Sequence, residues 1–159
     1  MPMEPLSAAA AGAFAWECVK QLASAVMKRR GEAAAARRKM LQDDLKDAAS
    51  LVGSCVQDVE EYFLAPPGDA VRTTHSRSVR KAMGKLGSVI NQINVGFLQA
   101  GLTERVESSL LIGFRRSSTM HLDDKDLPQL SVDDPKVAEV FRRAHFLSSA
   151  LTRLRYSVA

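Results

Sequence analysis

An all-α fold is predicted for this chain: an antiparallel bundle of about four main amphipathic helices plus one short helix. Three observations predict it. Apolar residues recur in alternating steps of four and three along several long stretches, which places them on one side of a helix. Alanine is abundant, and aromatic residues make up only 6% of the chain, a mix that favours helix over sheet. No stretch shows the period-two alternation of a half-buried strand. At 159 residues, 46% apolar and 25% charged, the chain has the size and composition of a single soluble domain with a real core. The expected organisation is a short disordered lead over residues 1–5 and one bundle domain over 6–159. Within it, residues 6–30 form an apolar first helix that is separable.

The first helix is expected over Leu6–Met27, the most apolar stretch. Its length is close to a membrane span. Glu17, Lys20 and Gln21 sit past its middle, and Ser, Ala and Gly dominate its start, which weakens that reading. Glu4 stands where a signal peptide would carry positive charge. The cluster Lys28-Arg29-Arg30 reads in two ways. It is a cationic flank to a lipid-facing segment, or it complements the negative end of a soluble helix that Gly31 caps.

The second helix is expected over Glu32–Leu64, with the stripe Leu41, Leu45, Ala48, Val52, Cys55, Val59 and Tyr62, widened by Val56 and Phe63. Ala65-Pro66-Pro67-Gly68 ends it, because proline cannot extend the ladder. The loop is read as continuing to Ser76. The third helix, to Gln99, carries Val79, Met83, Leu86, Ile90, Ile93 and Phe97; Asn91 and Asn94 beside this seam are read as solvent-facing. Thr103 is the expected N-cap of a short helix over Glu104–Arg116 that places Val106, Leu110 and Phe114 on one side. Ser117–Pro128 is polar and irregular. Asp134 and Pro135 open the last helix as an aspartate cap followed by proline, with the stripe Val137, Phe141, Ala144, Leu147, Leu151 and Leu154.

Charge divides unevenly. Residues 68–116 hold eight basic and three acidic residues, whereas the flanking segments are near neutral. Asp58, Glu60 and Glu61 crowd the end of the second helix, and Arg77, Arg80 and Lys81 the start of the third. Each cluster opposes its own helix dipole, so a hairpin that sets them side by side is expected to pair them.

The motifs of catalysis are missing. Gly-x-Ser-x-Gly, His-Glu-x-x-His, Cys-x-x-Cys and a phosphate-binding glycine loop do not occur. His121 with Asp123, Asp124 and Asp126 lacks the calcium-loop spacing and reads as a solvated acidic loop. Cys18 and Cys55, in apolar helices, read as buried thiols in a reducing compartment. Basic residues such as Arg37, Arg38, Lys39, Arg72, Lys85, Arg115 and Arg116 are interspersed with acids and show no recognition-helix pattern, so nucleic-acid binding is not expected.

The expectation is therefore a non-enzymatic interaction or scaffold module, cytoplasmic, without catalytic residues, cofactor or metal, binding another protein or itself. The alternative is a membrane-associated bundle, peripheral or at an inner membrane, whose helix 6–27 with its basic flank 28–30 engages lipid. Candidate lipid- or partner-facing residues are Leu6, Phe14, Trp16, Leu22, Val26, Lys28, Arg29 and Arg30.

Overall fold

A computed structural model of the chain describes residues 8–159, with side chains from residue 12 onward. The proposed lead at residues 1–5, and Leu6, lie outside the described residues. Among the described residues there are four helices and no strand: α1 (Ala8–Leu64), α2 (Ala70–Gln99), α3 (Ser108–Thr119) and α4 (Pro135–Ser157). The chain divides into two units, Met1–Arg37 and Arg38–Ala159.

The two helices expected over Leu6–Met27 and Glu32–Leu64 are a single helix. Gly31 does not cap; it lies mid-helix at a cost of about 1 kcal/mol relative to alanine. Around it Ala33–Ala36 and the Lys and Arg residues are strong helix formers, and no proline interrupts the ladder. In the first unit every residue from Gly12 to Arg37 is exposed except Cys18, which is half-buried.

The second unit is an antiparallel bundle. Leu41, Leu45, Ala48, Val52, Cys55, Val59 and Tyr62 are all buried, as the stripe predicts, and so are the six apolar positions of α2. Burying each larger aliphatic or aromatic side chain contributes about 1.5–3 kcal/mol. The part of α1 in this unit and α2 run antiparallel: His75 meets Asp58 at one end, and Gly96 meets Leu41 at the other. A Cβ on Gly96 would come within 2.6 Å of Leu41 Cδ2, so glycine permits the close approach there. Gln42 Nε2 donates to the Val158 carbonyl at 3.1 Å, which ties the start of the α1 seam to the end of α4. Arg115 donates to the Met83 carbonyl, and Gly113 lies against Arg143, which puts α3 beside α2 and α4.

Several boundaries differ from the sequence reading, each for a local reason. α2 begins at Ala70, because Asp69 caps it by accepting from Val71 N–H at 2.9 Å. The connection from α1 is thus only Ala65–Asp69, turned by Gly68 at φ 79°. α2 ends as a Schellman turn: Gly101 has φ 72°, and Leu102 N–H returns to the Phe97 carbonyl. Thr103 is not a helix cap. Residues 102–107 lack helical structure, and α3 starts at Ser108 after Glu107, which makes no side-chain cap bond. On α4 the seam runs through Val140 rather than Phe141, which is 38% exposed on the shoulder of the helix. Val140, Ala144, Leu147, Leu151, Leu154 and Val158 keep the 4-3 alternation, and Phe141 does not. Asp134 accepts from Lys136 N–H at 2.9 Å, and Pro135 opens the helix as expected.

Asn94 explains why residues 102–107 are not helical. Its side chain accepts from Val106 N–H at 2.8 Å and donates to the Val106 carbonyl at 3.2 Å. The amide thereby satisfies both backbone groups of one residue, and Val106 is held in the core at 1% exposure. Asn91, read together with it, is exposed as expected. Asn94→Ala should lower the urea unfolding free energy by about 1–3 kcal/mol, and Asn91→Ala by about 0.5 kcal/mol or less.

Candidate functional site

Two places in the molecule gather polar or apolar groups that the bundle core does not use. The first is the end of the bundle where α1 stops and α2 starts. Arg72 sits in the first turn of α2, where its own helix dipole disfavours a cation. It is nonetheless buried, at 6% exposure. Its guanidinium donates to three carbonyls: Nε to Ala65 at 3.0 Å, Nη1 to Leu127, and Nη2 to Pro128 at 3.1 Å. It also lies 5.3 Å from the centre of the Tyr62 ring. The Tyr62 hydroxyl donates to the carbonyls of His121 and Leu122 at 3.0 and 3.2 Å. Burial pushes the Tyr62 phenol up, and Arg72 pulls it back. Leu130 N–H closes the arrangement on the Phe63 carbonyl at 2.8 Å.

Next to it, α1 and α2 are joined through His75. Its Nδ1 is 2.8 Å from Asp58 Oδ1, and its Nε2 is 2.8 Å from Glu61 Oε2. Ser78 donates to the other Asp58 oxygen at 2.6 Å. The expected pairing of Asp58, Glu60 and Glu61 with Arg77, Arg80 and Lys81 is therefore not the one found. Arg80 pairs with Asp123 instead. Among the described residues, Glu60, Arg77 and Lys81 join no ion pair. The earlier start of α2 is the reason: His75 and Ser78, three apart, turn toward α1, whereas Arg77 and Lys81, four apart, share the exposed side. Each His75 nitrogen faces a carboxylate and Ser78 faces Asp58, so this trio presents no hydroxyl–imidazole pair for nucleophilic attack.

A cavity of about 350 Å³ opens at this end, lined by Tyr62, Asp69, Arg72, Thr73, Leu122 and Asp124. Arg72, the Tyr62 hydroxyl and Asp69 are already engaged by the protein itself, which leaves few groups to orient a ligand. Arg72, one of the basic residues of the positively charged middle segment, is buried and committed to carbonyls. Among the described residues no three His, Cys, Asp or Glu side chains converge as a metal site.

Cys55 is fully buried, beside the Ser118 hydroxyl, which makes no conventional hydrogen bond of its own. Burial first, and Asp58 second, push the Cys55 thiol up to about 12. It is an inert core thiol rather than a nucleophile. Cys18, the other thiol that the sequence places inside, is only half-buried, and its described neighbours on the helix are exposed.

The second place is the α1 segment in the first unit. Phe14, Trp16, Leu22 and Val26 are exposed by 74, 61, 66 and 47%, and Val19 and Met27 accompany them. Lys28, Arg29 and Arg30 are exposed directly after them. Lys20 pairs with Glu17 at 3.8 Å and lies over the Trp16 ring. Among the described residues no helix is long and apolar enough to cross a membrane. No protein-family model matches the chain, and no curated protein or solved structure shows significant similarity to it.

Residue spacing marks the apolar stretch of the second place and gives no sign of the buried tie at the first. Arg72 and His75 fall in the segment expected as loop; Asp69 followed by Ala70-Val71 is the sequence sign of the earlier helix start. Arg72→Leu should lower the unfolding free energy by about 3 kcal/mol or more, since three carbonyls lose their donor. Arg72→Lys should recover only part, because one ammonium cannot reproduce the fork; urea denaturation of both variants checks this. Cys55 sets an alkaline limit. Its folded pKa lies above the unfolded value near 9.0, so the folded chain holds the proton more tightly. That contribution is complete below about pH 9 and is lost as pH rises toward 12. Unfolding free energy measured against pH should fall more steeply above pH 9 in the parent than in Cys55→Ala.

Proposed function

We propose that the protein is a non-enzymatic helical interaction module whose contact face is the exposed apolar side of α1 in the first unit. One observation carries the reading. Six large apolar side chains between Phe14 and Met27 are exposed in a chain whose bundle helices bury their stripes. Contiguous exposed apolar surface is costly in water and marks a site that a partner covers. The bundle supports the same reading from the other side. Its buried thiol is inert, His75 faces two carboxylates, and Arg72, Asp69 and the Tyr62 hydroxyl beside the cavity at its closed end are engaged by the fold. A reducing, cytoplasmic setting goes with this reading, because Cys18 and Cys55 are both free thiols.

A photoreactive amino acid placed at Leu22 should form adducts in the native host, whereas one at Gln92, exposed on α2, should not. Adducts are read by mass spectrometry, on protein or on lipid. Equal yields at the two positions, or none at Leu22, would overturn the reading.

A further inference from the structure

Width and charge together narrow what can cover this face. At 3.6 residues per turn, Phe14, Ala15, Trp16, Cys18, Val19, Leu22, Ala23, Ala25, Val26 and Met27 span an arc of roughly 220°. Glu17, Lys20, Gln21, Ser24 and Lys28 fill the remainder. A two-stranded coiled coil covers only a narrow seam, two positions in seven. The best seam here is Ala15, Val19, Leu22 and Val26, less than two heptads, and its next position is Arg29. A second copy on that seam would leave Phe14, Trp16 and Met27 in water. In a parallel dimer it would also set Arg29 against Arg29.

The charge is one-sided. Ala8–Arg37 holds Lys20, Lys28, Arg29, Arg30 and Arg37 against Glu17 and Glu32. Lys28, Arg29 and Arg30 are consecutive, about 100° apart, so they ring the helix just beyond Val26. A broad apolar face carrying Trp and Phe, with cations at its end and too little hydropathy to span a bilayer, has the chemistry of a helix lying in a lipid interface. The ring of cations faces lipid phosphates, and the aromatic rings sit at headgroup depth.

We infer that the first unit of α1 is an interfacial helix that lies on an anionic phospholipid surface, with Phe14, Trp16, Val19, Leu22 and Val26 among the acyl chains and Lys28, Arg29 and Arg30 on the headgroups. This deepens the interaction reading and rests on it. The sequence contains one tryptophan, Trp16, and it lies within the proposed contact, so native fluorescence reports on this face alone.

The full chain is titrated with vesicles of pure phosphatidylglycerol and of pure phosphatidylcholine. Trp16 emission should shift to the blue, saturably, on phosphatidylglycerol at low salt. It should reverse at high salt and barely respond to phosphatidylcholine. The triple variant Lys28→Gln, Arg29→Gln, Arg30→Gln should partition roughly 100-fold less, at about fivefold per cation. All three side chains are exposed, and an unchanged thermal midpoint verifies the fold of the variant. Equal response to both lipids, an unaffected triple variant, or no response to either would overturn the inference. So would a lipid-free blue shift that grows with protein concentration, which would assign the face to a second copy. Protein-only adducts at Leu22 with a silent Trp16 titration would leave the interaction reading standing and remove the lipid; absence of both would remove both.

Discussion

The Arg72 guanidinium is the tie on which the closed end of the bundle depends. Proline and glycine stop α1 at Leu64, and the chain must reverse within five residues. That turn leaves the Ala65 carbonyl without a helical partner, and the segment between α3 and α4 brings two more carbonyls, Leu127 and Pro128, to the same point. A planar guanidinium spreads its donors over three separated nitrogens and serves all three at once, whereas the donors of lysine share a single nitrogen. Tyr62 adds its ring beneath the cation and its hydroxyl to the same segment. The position of α2, and with it the turn of His75 and Ser78 toward Asp58, follows from that arrangement.

The same helix, α1, meets two different fates along its length. From Leu41 onward its stripe is matched by α2 and α4 and disappears from water. Between Phe14 and Met27 an equally apolar stretch is exposed. Helix propensity alone, from alanine, lysine, arginine and glutamine, is enough to account for the helical backbone there. Propensity gives no reason for the large apolar side chains, whereas the proposed covering surface would. The polar end of the bundle shows the opposite logic: Arg72, Tyr62, His75, Asp58 and Ser78 are spent on one another and on backbone carbonyls.

Much of the fold was legible in residue spacing. The all-α class, the two long seams at Leu41–Tyr62 and Val79–Phe97, and the aspartate–proline start of α4 follow from local rules that act within a few residues. The misreadings share a cause. Gly31 looked like a cap, but a single glycine costs too little to stop a helix whose neighbours favour it. Thr73-Thr74-His75-Ser76 looked like a loop, because polar residues fill both loops and the exposed turns of helices. Thr103 looked like a cap until Asn94, nine residues earlier, claimed the backbone of Val106.

The candidate contact face was visible from the sequence because exposure was the alternative to burial for a stretch whose composition was already plain. By itself, the sequence determined which faces are apolar and where the cations cluster, since both depend only on residue type and helical period. Tertiary structure decided which of those faces leave water: the Leu41–Tyr62 stripe is buried, and the large apolar side chains of Phe14–Met27 are exposed. It also decided that Arg72 is a buried tie and that His75, rather than Arg77 or Lys81, joins the acidic end of α1. Hydrogen bonds and ion pairs between residues distant in sequence depend on backbone placement to within a fraction of an ångström, and residue spacing along one helix carries no such information.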